Sequence, residues 1–224
     1  MKEAGRTIQF AKICGGKKMK IENGILAILL IVLAIAAAFF IYQKPPKEIG
    51  VLGGVHEHAD FKLYLNGAAY NFSQEKFMSE KPGADNKSRA LSNFVHLHDG
   101  DGEIIHKHAS GVTLGFFFKS LKINFNSTCL VFDSGESFCN EGDKKIKLFV
   151  NGRPTAEFEN YEINDLDRIL ISYGNEAQGR EQLQAQINSV FDRACIQSGK
   201  CPERGKPGDE SSCTTQGGCL PEAS

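Results

Sequence analysis

Every histidine in the chain belongs to a His-x-His pair: His56-Glu57-His58, His96-Leu97-His98 and His106-Lys107-His108. Side chains alternate across a β-strand, so each pair that lies in a strand presents both rings to one face. The residues after the first pair keep that period. His56, His58, Asp60, Lys62 and Tyr64 share one side of a strand signal from about residue 55 to residue 65, and Phe61, Leu63 and Leu65 share the other. Such a segment requires a sheet with an apolar face on a core and a polar face that carries imidazoles.

The second and third pairs flank Asp99-Gly100-Asp101-Gly102, a turn signal, and the form of that turn decides whether their rings meet. A two-residue turn at Asp101-Gly102 sets His98 opposite Ile105, and the two pairs then face opposite ways. A loop centred on Asp101 sets His96 opposite His106, and one centred on Gly102 sets His98 opposite His106. The two arms can also be separate strands that each meet the His56 strand. The glycines permit all of these.

Neutral imidazole is a common ligand for divalent transition metals, and without a thiolate in the set the pattern points to zinc or copper. His56, His58, His96, His98, His106 and His108 are therefore the candidate metal ligands. A mononuclear centre needs three or four of them, so either two metals bind or one pair stands behind the ligands. Asp60, Asp99 and Asp101 are candidates to ligate or to orient a ring. Glu57 and Glu103 are the acids nearest to serve as a base beside a metal.

The rest of the chain reads as an α+β domain with appendages. Asn66-Gly67 and Asn151-Gly152 are hairpin turns. Thr113 caps a helix from Leu114 to Leu121 whose apolar content implies burial. Strands are expected at 128–132, 145–150 and 168–173, and an amphipathic helix in the stretch that begins at Glu176, from Leu183, Ile187, Val190, Phe191 and Ala194. With sixteen Phe and no Trp, the core is expected to be rich in phenylalanine. The fold class is a small mixed sheet packed on one buried helix. Its element order is like that of ubiquitin-like β-grasp folds, an analogy that carries no function.

Residues 24–42 are apolar and uncharged, with Lys17, Lys18 and Lys20 before them. Length and flanking charge predict a single transmembrane anchor with a cytoplasmic N-terminus and the main domain outside the cell. Ala36-Ala37-Ala38 offers a signal peptidase site, but the apolar run continues past it, which favours the uncleaved anchor. The expected layout is a cytoplasmic segment 1–22, anchor 23–43, linker 44–54, α+β domain 55–174, C-terminal helix and cysteine loop 175–202, and flexible tail 203–224. Six of the seven cysteines follow the anchor. In an oxidising compartment the nearest neighbours are expected to pair, Cys129 with Cys139, Cys195 with Cys201 and Cys213 with Cys219. The net charge of −1 and the absence of a basic stripe argue against a nucleic-acid partner.

His56-x-His58-x-Asp60-Phe61, the block HLHDGDGEIIHKHASGVTLGFFFKSL (residues 96–121) and NDLDRILISYG (164–174) together resemble small membrane-anchored archaeal proteins of uncharacterised function. Members of that group are often labelled protein-disulfide isomerase. The resemblance implies an alternative activity, extracytoplasmic thiol–disulfide exchange, although the chain has no Cys-x-x-Cys. A third alternative is a surface interaction module without metal.

Overall fold

A computed structural model of the chain describes residues 24, 26–35, 48–79, 91–175 and 179–208. Two compact units are present, residues 1–46 and residues 47–224. Of the expected anchor, residues 26–35 are helical with exposed apolar side chains, and among the described residues no helix is long and apolar enough to cross a membrane. The remainder of the anchor apart from Gly24, the segment before it, and Cys213 and Cys219 lie outside the described residues.

The second unit is α+β and is built on a mixed sheet. Strand β1 (Glu57–Leu65) turns at Asn66-Gly67, both at positive φ, into the short β2 (Ala68–Ala69). β3 (Val95–His96) and β4 (Ile104–Lys107) carry the other histidine pairs, and α1 is Leu114–Ser120. β5 (Asn124–Phe125), β6 (Cys129–Val131) and β7 (Ser137–Cys139) form a separate three-stranded sheet. β8 (Lys144–Val150), β9 (Arg153–Thr155) and β10 (Arg168–Asn175) complete the main sheet in the order β3-β4-β1-β10-β8-β9, with β2 also on β1. β1 and β10 run parallel and the other neighbours antiparallel.

The two faces of β1 divide as the alternation requires. Ala59, Phe61 and Leu63 are buried against α1, whose N-cap is Thr113: its hydroxyl accepts from the Phe116 N–H. Phe61 meets Phe117 edge to face at 5.1 Å between ring centroids, and Phe72, Phe77, Phe118 and Phe125 extend the aromatic cluster. Each such ring contributes about 2–3 kcal/mol through removal of apolar surface from water. This cluster sets α1 against the sheet and leaves the histidine face on the outside of the core.

The C-terminal segment lies over that opposite face. Its helix α2 (Arg180–Ser189) is shorter than the apolar spacing implies, stopping before Val190 and Phe191, and a separate turn of helix, α3, spans Ala194–Gln197. The residue α2 buries is Gln186, whose carbonyl accepts from the Ser172 hydroxyl at 2.8 Å. A polar sheet face selects a polar contact there, while Leu183 and Ile187 are half-buried at its margin. Residues 48–54, expected as linker, join the domain instead: Gly50 N–H donates to the Ser110 carbonyl and Gly53 N–H to that of His108.

The turn into β10 is locked by side chains. Asp167 accepts from the Tyr161 hydroxyl at 2.7 Å and from the Asn151 amide at 2.9 Å. Burial, then the Asp167 hydrogen bond and charge, hold the Tyr161 phenol well above its usual 10.0. Above pH 10 the unfolded phenol ionises while the folded one keeps its proton, so stability is lost as pH rises through that range. The Tyr161→Phe chain is expected to show a shallower alkaline fall in thermal stability. A melting series from pH 8 to 11 with identical slopes in both chains would contradict this origin.

Candidate metal centre

The register settles which rings meet. His96 pairs with His106 across β3 and β4, and His106 pairs with His58 across β4 and β1. Directly paired residues share a face, so His58, His96 and His106 lie on one side of three neighbouring strands, and His56, His98 and His108, just beyond the strand ends, bring their rings to the same group. Ring centroids stand 4.8 Å apart for His56–His58 and His58–His106, 5.0 Å for His56–His108 and His96–His108, and 3.9 Å for His98–His106. The six rings form one continuous group.

The loop responsible is centred on Asp101, but its tight turn lies elsewhere. Asp99 and Gly100 both have positive φ, and Asp101 N–H donates to the His98 carbonyl. This is the two-residue turn, at Asp99-Gly100 rather than Asp101-Gly102. The chain then holds residues 101–103 out of the ladder before β4 begins. Asp101 accepts from the Glu103 N–H at 2.9 Å, and Gly102 N–H donates to the Ser73 hydroxyl at 3.2 Å. A Cβ on Gly102 would come within 2.3 Å of the Ser73 nitrogen, so only glycine lets the loop lie against residues 72 and 73.

Ligand atoms of His56, His58 and His106 all lie within 4.8 Å of one another. Tetrahedral zinc with Zn–N near 2 Å separates its nitrogens by about 3.3 Å, so the three atoms would have to draw together to hold one ion. His58 and His106 are 2% exposed, whereas His56 is at the exposed rim and gives access. His96 is buried, and burial followed by its histidine neighbours holds its pKa well below 6.5, which keeps the ring neutral.

Proton positions follow from the acceptors. His96 Nδ1 is 2.8 Å from the Ser92 carbonyl, which only accepts, so the proton is on Nδ1 and the lone pair on Nε2. His98 Nδ1 is 2.7 Å from the Asp99 carboxylate and its Nε2 is 3.1 Å from His106 Nδ1. With the His98 proton given to Asp99, His106 Nδ1–H donates to His98 and its own Nε2 carries the lone pair. In this arrangement His98 supports His106, as outer partners of metal-bound histidines do.

The acids are mostly engaged elsewhere. Asp60 is buried beneath the C-terminal segment and accepts from the Arg193 N–H at 3.0 Å and the Ala194 N–H at 2.9 Å, which caps α3. Asp101 and Glu103 pair with the Arg193 guanidinium, and Glu103 also with Lys62. Glu57 pairs with Lys107 on the core side of the sheet. Of the aspartates singled out from the sequence, Asp99 touches an imidazole through its carboxylate; Asp60 and Asp101 hold the C-terminal segment. Ring-orienting residues that spacing did not identify are Ser92, Asp165 and Ser198. Ser198 Oγ is 2.9 Å from His58 Nδ1 and 2.5 Å from Asp165. Burial pushes the Asp165 carboxyl up, but the His58 N–H, Lys200 and Ser198 together bring it below its usual range.

Among the described residues two disulfides are formed, Cys129–Cys139 between directly paired positions of β6 and β7, and Cys195–Cys201 closing the loop that carries Ser198. No protein-family model, curated protein or solved structure matches the chain.

Proposed function

We propose that the domain binds a divalent transition metal, zinc or copper, through the His-x-His strands, with His56, His58 and His106 as the first ligands. One observation carries this reading: six imidazoles at three neighbouring strands gather in one group, with ligand atoms of three of them within 4.8 Å of one another. Satisfying ordinary core histidines does not require that convergence, and neutral, lone-pair-bearing rings are the form a metal takes. His96 and His108 are the reserve ligands for a fourth position or a second ion.

The apolar, uncharged run at 24–42 supports a membrane-anchored protein with this domain on the outer side of the cell membrane. The two disulfides fit an oxidising compartment. The parallel pairing of β10 with β1 beside one buried helix is in keeping with a β-grasp-like arrangement, and the block at residues 96–121 with a place among the uncharacterised archaeal anchored proteins. Thiol–disulfide exchange is the competing activity, favoured by the Arg204 guanidinium 3.2 Å from Cys195 Sγ. Elemental analysis of the purified full chain tests the metal reading. About one equivalent of zinc or copper is expected. Failure to retain or take up either metal at micromolar concentration, with isomerase activity lost on Cys195→Ser, would transfer the function to the cysteines.

A further inference from the structure

The His58 ring is held from a distant part of the chain. Ser198 stands 140 positions away in sequence, inside the loop closed by Cys195 and Cys201, and its oxygen lies between His58 Nδ1 and Asp165. A hydroxyl has one proton to give, and an ionised carboxylate only accepts. Asp165 also accepts the His58 backbone N–H at 3.0 Å and the Lys200 ammonium, a donor set that fits the ionised form. The Ser198 proton therefore goes to Asp165, and its oxygen must accept from His58 Nδ1–H.

We infer that Ser198 and Asp165 are positioning residues that fix His58 with its proton on Nδ1 and present Nε2 as a metal ligand. This rests on the metal reading given above. The chain Asp165–Ser198–His58 is a carboxylate–histidine device with a hydroxyl interposed, and such outer partners set both ring orientation and ligand basicity. It also ties the centre to the C-terminal cysteine loop. The strap that Asp60 anchors at Arg193 and Ala194 delivers the hydroxyl, so the metal ligand on β1 and the disulfide loop act as one unit.

The test uses the full chain labelled with 15N at histidine, with zinc as the probe. Long-range proton–nitrogen correlation of the metal-free chain is expected to show His58 as the Nδ1–H tautomer. In Ser198→Ala that signature should give way to a tautomer mixture, and zinc affinity should fall by about 10–100-fold. Ser198→Thr, which restores a hydroxyl, should recover both. A His58 protonated on Nε2, or an Nδ1–H tautomer unchanged in Ser198→Ala, overturns the inference. Zinc failing to bind the unaltered chain while the Nδ1–H tautomer is present and sensitive to Ser198→Ala overturns the metal reading and leaves the hydrogen-bonded arrangement standing.

Discussion

Zinc binding by the His106→Ala chain is expected to be weaker than that of the unaltered chain by more than about 100-fold, beyond the loss typical of an outer partner. His106 is the middle of the row His96–His106–His58, and its ring contacts those of His58, His96 and His98. Its removal takes away a proposed ligand and breaks the hydrogen bond to His98 Nε2. Breaking that buried hydrogen bond costs about 1–3 kcal/mol in stability, and the lost ring leaves a cavity as well, so His106→Gln is the companion variant. It keeps most of the volume and a hydrogen-bonding end while offering no imidazole. Calorimetric titration with zinc, alongside a melting curve for each chain, separates the two effects. Both variants folded and binding zinc as tightly as the unaltered chain would remove His106 from the centre.

The imidazole face was legible because alternation is a local property. Once residues 56–65 form a strand with Phe61 and Leu63 inward, the side of His56 and His58 follows without knowledge of any partner. The phenylalanine core, the Thr113-capped helix and the Asn-Gly hairpins were legible for the same reason. The alignment between strands was not. It depends on how many residues leave the ladder after Asp99-Gly100, where Gly102 lies against the backbone of residues 72 and 73, a contact that only the folded chain possesses. Long-range partners were equally hidden. Asp60 reads as a candidate ligand by its spacing from His58, yet it serves as a helix cap because Arg193 and Ala194 arrive above it. Ser198 is an unremarked loop residue until the Cys195–Cys201 bridge and Asp165 set it on His58. Spacing also overestimated the last helix, since the surface that receives it is polar and selects Gln186 rather than an apolar stripe.

The histidine register therefore hangs on Gly102, and Gly102→Ala is expected to destabilise the chain by about 3 kcal/mol, near the upper end of overpacking effects. The added methyl would meet the Ser73 nitrogen at 2.3 Å and the Phe72 carbonyl carbon at 2.4 Å, both backbone atoms that no rotamer change can move aside. Gly100→Ala supplies the contrast. Its φ of +68° makes any side chain strained, at about 1 kcal/mol, but a Cβ there meets nothing within 4 Å. Melting temperatures should thus fall by roughly 6–12 °C for Gly102→Ala and about a third of that for Gly100→Ala, by the scaling for domains of this size. Zinc affinity should fall in Gly102→Ala although every histidine is retained, because displacing residues 101–103 shifts β3 against β4 and moves the His96 arm away from His106. A Gly102→Ala chain as stable as the Gly100→Ala chain, with unaltered zinc affinity, would mean that the loop does not rest on residues 72 and 73 and that some other contact aligns the rings.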